Sequence, residues 1–202
     1  MQGLRGDVCY AIGALRDGSI EIRVGKNYEI RYNQRCYHWL VELQRIFYEH
    51  YGVRGSIRPW IRGTYMLRIN DKNTTLEFAD LCEYKTPQRE WTTPSIIKQQ
   101  TLGQQLCYVQ GFWDAEGGLP HNPSQSSQFY LSFDQENYEA LNFIRSVLLK
   151  LNFNPTNITR TGKCWQFRLT RKEEIIRYAR EISTRHPDKQ SRMRSLTQLL
   201  LP

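Results

Sequence analysis

Two acidic residues that close apolar segments are the strongest candidates for chemistry in this sequence. Glu116 ends the run Leu-Cys-Tyr-Val-Gln-Gly-Phe-Trp-Asp-Ala-Glu before Gly117-Gly118, and Asp17 ends a similar run before Gly18. An apolar run that ends in an acid and a glycine predicts a buried helix with a carboxylate in its last turn. Two carboxylates about 5 Å apart repel by roughly 3 kcal/mol at an effective dielectric of about 20. We therefore expect a divalent cation between them.

Both apolar runs contain the pattern Cys-Tyr-x-x-Gly, which puts one glycine inside each predicted helix. A glycine in a helix interior costs roughly 1 kcal/mol relative to alanine, and it is tolerated where another backbone must come close. We therefore expect the two helices to pack against each other at Gly13 and Gly111. That crossing would place Asp17 and Glu116 side by side at the centre of the molecule.

The sequence Val-Gln-Gly-Phe-Trp-Asp-Ala-Glu-Gly at residues 109–117 resembles the LAGLIDADG signature of homing endonucleases, which are compact, metal-dependent DNA-cutting enzymes. The first copy departs from it, because Gly13 and Asp17 are one position closer together than Gly111 and Glu116. At about 100° per residue, this difference turns the Asp17 carboxylate by roughly one helical step. Either the last turn is distorted to compensate, or one half of the active centre is impaired.

The composition favours a polyanionic partner. The 202 residues include 28 Lys and Arg against 20 Asp and Glu, which gives a net charge of +8, and such an excess suits nucleic acid. The five cysteines show no Cys-x-x-Cys or Cys/His ligand spacing, so neither a zinc site nor a disulfide framework is expected. The four histidines have no repeated spacing and are given no catalytic role.

No long apolar segment or leader-like segment stands near the start of the sequence. The run at residues 8–15 is too short to cross a bilayer and is followed by Arg-Asp-Gly rather than by a small-residue cleavage site. We therefore expect a soluble, intracellular protein, in a prokaryotic cytoplasm or an organelle matrix. From its two ends the chain is expected to be free-standing and encoded in an intron.

The order of elements repeats in the two halves of the chain. Residues 19–24 and 28–32 alternate apolar and polar as a hairpin does, and residues 34–50 carry a helical stripe. The run at residues 165–169 repeats that at residues 65–69. Capping-box sequences at Thr74 and Thr170 predict the final helix of each half. Each half therefore has the order helix, two strands, helix, two strands, helix.

This repeat predicts an α+β fold in which two αββαββα units are related by a pseudo-twofold axis. Their antiparallel sheets would join into one curved, charged saddle, and the resemblance implies the same fold for single-chain family members. We expect a first repeat at residues 1–85, a linker at residues 86–102 and a second repeat at residues 103–202.

The resemblance implies that Asp17 and Glu116 hold a divalent metal ion, with the backbone carbonyls of Arg16 and Ala115 completing its ligands. Carboxylate and water ligands suit Mg²⁺; Mn²⁺ is an alternative, and Ca²⁺ would bind without turnover. A simpler interpretation is that an acid before glycine is only a helix end facing solvent. Asp114 in the same motif is expected to face solvent or to cap a neighbouring segment.

Further residues take catalytic roles by resemblance. Gln34 and Gln135 stand at predicted strand ends, where the family has a polar residue that orients the attacking water. Each could equally be an ordinary helix start with a solvated side chain. Lys85 and Lys189 follow the last helix of each half, where the family places a basic group beside metal and phosphate, and Arg185 is a rival to Lys189.

The outward faces of the strands are predicted to contact DNA. A β-ribbon fits the major groove, where Arg pairs with guanine and Gln or Asn pairs with adenine. A charged strand face can be merely solvated, but polar types recur on matched strands of both halves. The predicted DNA-binding residues are Glu21, Arg23, Arg31, Arg58, Arg62, Arg68, Gln128, Tyr130, Asn157, Thr159, Lys163, Gln166 and Arg168.

Together these features predict a monomeric, metal-dependent DNA endonuclease that makes a double-strand break. The two halves differ in sequence, so its target should be long and asymmetric, and the resemblance implies 3′ overhangs. Two alternatives remain open: an RNA maturase that binds intron RNA without cutting, and a catalytically silent DNA-binding protein on the same scaffold.

Overall fold

The fold is taken from a computed structural model that describes residues 3–201. The ends of the two predicted repeats at residues 1, 2 and 202 lie outside this range. The elements of the first half are α1 (Gly6–Ala14), β1 (Gly18–Arg23), β2 (Asn27–Gln34), α2 (Tyr37–Tyr51), β3 (Ser56–Pro59), β4 (Tyr65–Ile69) and α3 (Lys72–Leu81).

The second half has the same order of elements, followed by one helix that the sequence patterns did not predict. A short helix, α4 (Ser95–Lys98), lies within the predicted linker and precedes the second half. The elements that follow are α5 (Leu102–Glu116), β5 (Gly117–Gly118), β6 (Leu131–Gln135), α6 (Tyr138–Lys150), β7 (Thr159–Thr161), β8 (Cys164–Leu169), α7 (Lys172–Glu181) and the additional α8 (Pro187–Leu200).

Each half forms one four-stranded antiparallel sheet. The strand orders are β1-β2-β4-β3 and β5-β6-β8-β7, so the two sheets have the same topology. The registers also correspond, because Tyr32 pairs with Leu67 in the first sheet and Phe133 pairs with Phe167 in the second. The predicted α+β fold of two αββαββα repeats is therefore confirmed.

Helices α1 and α5 cross at their glycines in the middle of the molecule. A β-carbon on Gly13 would lie 2.2 Å from the Tyr108 carbonyl oxygen, and one on Gly111 would lie 2.0 Å from that of Tyr10. Such distances leave room for no side chain, so the two backbones touch directly. The predicted close approach at Gly13 and Gly111 is confirmed, and it explains why each helix accepts the conformational cost of a glycine.

Around this crossing, the inward faces of both sheets form one continuous apolar core. Ile30, Tyr32, Phe133 and Leu169 are fully buried, and so is Trp39 of α2. Tyrosine and tryptophan use their polar atoms inside this core, since the Trp39 Nε1 donates to the Tyr10 hydroxyl at 2.7 Å. The core therefore holds both halves as one packed unit.

Three local expectations were wrong. Ile22 and Val24 take apolar positions in the alternation at residues 19–24, which predicts a buried face, but they are 42% and 85% exposed. The capping residue of α3 is Asp71, whose carboxylate accepts from the Thr74 backbone N–H at 2.8 Å, so the helix begins before the expected capping box. Helix α7 likewise starts after Arg171.

Within residues 3–201, none of the helices has both the length and the apolar character needed to cross a bilayer.

Candidate active site and nucleic-acid face

The shortened first motif is accommodated by a tighter last turn. Residues Leu15–Asp17 form a 3₁₀ helix and β1 begins at Gly18, whereas α5 continues as an α-helix to Glu116. Three 3₁₀ steps and one α-helical step rise about 7.5 Å, the same as five α-helical steps, and the difference in rotation falls from about 100° to about 40°. Of the two outcomes predicted for the missing residue, the structure shows the distorted turn.

The two carboxylates at these helix ends are partly buried and influence each other. Burial raises the pKa of Glu116 to about 7, and the negative charge of Asp17 contributes to that rise. Burial also raises the pKa of Asp17 to about 6, against the opposing effects of Lys189 and of a hydrogen bond from Gln34. For both acids, therefore, the nearby positive charge does not offset the effect of burial on the pKa.

The two predicted glutamines occupy equivalent places at the ends of β2 and β6. The Gln34 Nε2 donates to the Asp17 Oδ2 at 2.7 Å, and its Oε1 accepts from the next backbone N–H. The Gln135 Oε1 accepts from the Glu136 backbone N–H at 2.7 Å in the same way. The Nε2 of Gln135, however, is buried and has no hydrogen-bond partner. One glutamine thus holds a carboxylate, and the other keeps a free donor.

Lys189 of α8 reaches the end of α5. Its Nζ donates to the carbonyl oxygens of Trp113 at 2.7 Å, Gly117 at 2.6 Å and Ala115 at 3.4 Å. A cation at a helix C-terminus is favoured by the helix dipole. Burial lowers the pKa of Lys189 to about 8, although nearby acids, with Asp114 first, oppose this shift. Lys189, as predicted from the sequence, thus lies beside Ala115, and the charges of Asp17 and Glu116 both act on its ammonium group.

The residue predicted as its counterpart, Lys85, does not reach the equivalent position. Lys85 is exposed, and the Arg16 backbone carbonyl accepts instead from the side-chain amide of Gln88. Gln34 and Gln135 are 101 positions apart, and the residue 101 positions before Lys189 is Gln88, not Lys85. That constant separation was the signal that could have found Gln88. Sequence reasoning missed it because a basic residue was expected.

The Arg16 side chain is buried against the segment that follows α3. Its guanidinium donates to the carbonyl oxygens of Trp91 at 2.9 Å and Thr92 at 3.2 Å, and it stacks on the Trp91 ring at 3.9 Å. The predicted linker at residues 86–102 is therefore packed against the first motif in this region. Only the backbone of Arg16 is directed toward the role that the resemblance implies.

Asp114 is fully buried, so the expectation that it faces solvent was wrong, whereas the alternative of capping a neighbouring segment fits. Its carboxylate accepts from the Tyr10 hydroxyl at 2.6 Å, from the Arg185 backbone N–H at 2.8 Å and from the Thr184 hydroxyl. Arg185, the rival to Lys189, instead pairs with Asp7 at 2.7 Å. Asp114 therefore fixes the segment that leads into α8 and so the start of the helix that carries Lys189.

None of the predicted DNA-binding residues is fully buried. In the first sheet, Arg31 pairs across the strands with Arg68, and in the second, Asp134 pairs with Gln166. The exposed members are Arg23, Arg58, Arg62, Gln128, Asn157, Thr159 and Lys163. The partly exposed members are Glu21, Arg31, Arg68, Tyr130, Gln166 and Arg168.

The first sheet carries an ion-pair network that the sequence did not reveal. Glu29 has a fully buried side chain, and it accepts from Arg31 at 2.6 Å and from Arg68. Although burial opposes ionisation, these hydrogen bonds lower the pKa of Glu29 to about 2. Glu21 also pairs with Arg31 at 2.5 Å. Two of the predicted DNA-reading arginines are thus partly neutralised by acids of their own sheet.

In the second sheet, the equivalent arginine, Arg168, has neutral partners. The Arg168 Nε donates to the Gln166 Oε1 at 2.9 Å, and the guanidinium lies over the Tyr130 ring at 4.7 Å. Gln166 in turn donates to Asp134. The positive charge on this face is less compensated than that around Glu29.

Comparison with known proteins agrees with this architecture. The family described as LAGLIDADG-like domain matches residues 103–183. The homing endonuclease I-ApeI of Aeropyrum pernix is 29% identical over 205 residues, which cover 96% of this chain and 88% of that protein.

Solved structures have the same fold. The structure of I-DmoI in complex with DNA and Mn superposes with a TM-score of 0.65 at 17% identity, covering 90% of this chain and 98% of that one. The complex of I-DmoI with DNA and Ca gives a TM-score of 0.68 at 15% identity, covering 94% and 97%. The duplicated acid-tipped helices, the glycine crossing and these similarities lead to one conclusion: residues 103–183 match a LAGLIDADG-like domain, and the chain as a whole is similar to LAGLIDADG homing endonucleases in sequence and fold.

Proposed function

We propose that this protein is a homing endonuclease that makes a metal-dependent double-strand break in a long, asymmetric DNA target. The observation that carries the proposal is the pair of acids, Asp17 and Glu116, at the ends of two helices that cross through their glycines. Each helix leads directly into one of the two sheets. A single chain thus brings both acids to one centre, which supports a monomeric enzyme.

The residues at this centre fit a divalent cation. The raised pKa values of Asp17 and Glu116 follow first from burial, and a bound cation would favour the ionised form of both. The carbonyl oxygens of Arg16 and Ala115 add neutral donors of the same hard type. We propose Mg²⁺, which prefers carboxylate and water oxygens, with Mn²⁺ as a substitute and Ca²⁺ binding without turnover. Solved I-DmoI complexes contain DNA with Mn or with Ca.

A bound divalent ion would supply Lewis-acid activation of water and of the scissile phosphate. The chain's own groups would position the reactants around it. Gln34 holds the Asp17 carboxylate in place, and the unpartnered Nε2 of Gln135 is available to orient a water molecule. Lys189 places a positive charge next to the Ala115 carbonyl, where it would stabilise the negative charge that develops on phosphate.

DNA recognition is proposed for the outward faces of the two sheets. Arg58 is exposed on β3, and Arg62 and Lys163 are exposed in the β3–β4 and β7–β8 connections, where they suit phosphate contacts or guanine pairing. Gln166 occupies the register position that apolar Met66 has in the first sheet, so the second sheet offers a side-chain amide where the first offers none. Because the two sheets carry different side chains, we infer that the two target half-sites have different sequences.

Sequencing the ends of a cleaved, randomised DNA library tests this function. We expect Mg²⁺-dependent double-strand breaks at one extended sequence, and loss of cutting by at least about 1000-fold in Glu116→Gln with DNA binding retained. Glu139→Gln, which removes an exposed carboxylate from α6, is the matched control and should cut normally. Cleavage by Glu116→Gln at the wild-type rate would disprove the metal assignment.

The same preparations separate the two alternatives. A protein that selects one DNA sequence but leaves it intact at every metal concentration would be a silent DNA-binding protein. A maturase would bind intron RNA tightly and would continue to do so in the double variant Asp17→Asn with Glu116→Gln.

A further inference from the structure

A second group of potential metal ligands lies beside the proposed active centre. One ligand atom each from Cys36, His186 and Asp188 lies within 4.8 Å of the other two. Cys36 immediately precedes α2 in the first half, whereas His186 and Asp188 stand at the start of α8 in the second. No sequence spacing links them, because the fold alone brings the first half against α8.

These three side chains form a donor set that differs from that of the active centre. A thiolate, an imidazole and a carboxylate are ligands that suit Zn²⁺, whereas Mg²⁺ prefers oxygen ligands alone. A tetrahedral Zn²⁺ site has metal–ligand distances of about 2.0–2.3 Å, which separate its ligand atoms by about 3.3–3.8 Å. Small side-chain rotations would close the observed separations to that range. We propose that Cys36, His186 and Asp188 bind one Zn²⁺ ion.

The surroundings of His186 favour ligation. The ring is 5% exposed, and its Nδ1 acts as a hydrogen-bond acceptor, so the imidazole has a lone pair to donate. Its Nδ1 accepts a long hydrogen bond of 3.4 Å from the Lys189 backbone N–H. Ligation through either nitrogen ends this bond, because a metal-bound neutral ring keeps its proton on the other nitrogen. The loss is small, since so long a bond is weak.

Cys36 and Asp188 supply the negative charge. Cys36 is buried, and its thiol proton passes to solvent as the sulfur–metal bond forms. Asp188 is exposed and supplies a carboxylate oxygen. The resulting two negative charges would neutralise a divalent ion.

A cavity of about 530 Å³ next to the cluster gives access for the ion and its fourth ligand. Its lining includes Asp188 and His186 together with His121, so either a water molecule or His121 can complete the coordination. Arg35 and Arg192 line the same cavity. Their positive charges oppose the binding of any cation. We therefore expect the site to hold Zn²⁺, which the thiolate and imidazole bind strongly, and to exclude Mg²⁺, which they bind weakly.

Zinc at this place would connect the two arms of the proposed active centre. Cys36 lies two residues after Gln34, which holds Asp17, and His186 lies three residues before Lys189, which holds the end of α5. The ion would thus tie the strand end of the first half to the start of α8.

Cobalt spectroscopy on metal-stripped protein tests the site directly. We expect Co²⁺ to produce a thiolate charge-transfer absorption at one equivalent per chain, and Zn²⁺ to displace it. Zn²⁺ affinity, measured by competition with a chromophoric chelator, should fall at least about 100-fold in Cys36→Ser and at least about tenfold in Asp188→Asn. Asp188 is exposed, so the second variant should fold normally. Cys164→Ser, which alters a cysteine elsewhere, is the matched control.

A second measurement is independent of DNA cleavage. Zn²⁺ should raise the thermal unfolding midpoint of wild type, Cys164→Ser and Glu116→Gln, but not that of Cys36→Ser. Retention by Glu116→Gln would separate this site from the active centre. Absence of the charge-transfer band in wild type, or equal Zn²⁺ affinity in wild type, Cys36→Ser and Asp188→Asn, would overturn the proposal.

Discussion

The two sides of the proposed active centre have the same backbone arrangement and different charges. Asp17 and Glu116 stand at equivalent helix ends, but the carbonyl before Asp17 accepts from neutral Gln88, whereas the carbonyl before Glu116 lies near the ammonium group of Lys189. The shorter first motif reaches its position through a 3₁₀ turn. The comparison shows that a duplicated fold can conserve positions while its two halves diverge in electrostatics.

The same contrast extends to how each half fastens the segment that follows α3 or α7. Arg16 donates to the carbonyls of Trp91 and Thr92, whereas Asp114 accepts from the backbone N–H of Arg185 and the hydroxyl of Thr184. A buried cation does in one half what a buried anion does in the other. Each choice satisfies buried polar groups that would otherwise cost free energy.

The largest difference expected between the two halves comes from removing the cation of the second half. Lys189→Met should slow DNA cleavage by about 100- to 1000-fold, because the fixed positive charge near the phosphate is lost while the apolar stem is retained. The equivalent change in the first half, Gln88→Met, should slow cleavage less than about tenfold, since it removes no charge. Single-turnover cleavage of an end-labelled target, with DNA binding as a folding check, measures both. Equal losses would show that the charge difference has no catalytic consequence.

The glycine crossing should be equally sensitive in both halves. Gly13→Ala and Gly111→Ala would each put a β-carbon about 2 Å from a carbonyl oxygen of the other helix, and each should lower the free energy of unfolding by about 3 kcal/mol. Gly103→Ala, in the same helix as Gly111 but with open space around it, should be neutral or stabilising by up to about 1 kcal/mol. Urea unfolding measures all three. Tolerance of alanine at either crossing position would refute direct backbone contact.

The raised carboxyl pKa values predict a pH dependence in metal-free protein. The folded pKa of Glu116 is about 7 against an ordinary value of 4.5, so the folded state binds this proton more tightly than the unfolded state. Its contribution to stability is therefore lost as pH rises from about 4 to about 7. At pH 8, Glu116→Gln should be more stable than wild type by about 1 to 3 kcal/mol, and at pH 4 the difference should vanish.

Urea unfolding with a chelator present, compared with the Glu139→Gln control, measures this pH dependence. Asp17→Asn should also be more stable than wild type at high pH. Its stability gain should stop growing near pH 6, because the pKa of Asp17 is raised only to about 6. A stability gain that is independent of pH would contradict the burial argument.

The smallest effect concerns the sheet faces. Glu29→Gln should release Arg31 and Arg68 from their ion pairs and raise nonspecific DNA affinity at low salt by about tenfold, with a salt-dependence slope steeper by about one. Glu49→Gln, which breaks an exposed pair with Arg45 on α2, should leave DNA binding unchanged. Titrations at several salt concentrations distinguish the two. An unchanged slope in Glu29→Gln would mean that these arginines stay away from DNA.

Much of the architecture could be predicted because it depends on local patterns. Alternation and helical stripes gave the order of elements, and the two glycines predicted the crossing of α1 and α5. Boundaries were less accurate where a competing residue acted, as Asp71 did at the start of α3. Helix α8 was not predicted, because its amphipathic pattern is weak among many polar residues.

The candidate site was only partly predictable for a related reason. Asp17, Glu116, Gln34, Gln135 and Lys189 were selected by motif and spacing. That Gln88, and not Lys85, contacts the Arg16 carbonyl depends on segments about 70 residues apart in the chain. Local patterns contain no information on such contacts.

Sequence by itself determined the duplicated elements, the need for glycine at a helix crossing, and the two acids that end the crossing helices. Tertiary structure alone decided the burial and the partners of each charge. It buried Asp114, paired Glu29 with two arginines, and brought Cys36 next to His186. The physical reason is that desolvation and ion pairing depend on which distant segments exclude water from a side chain, and the residue's own neighbours in the chain do not specify that.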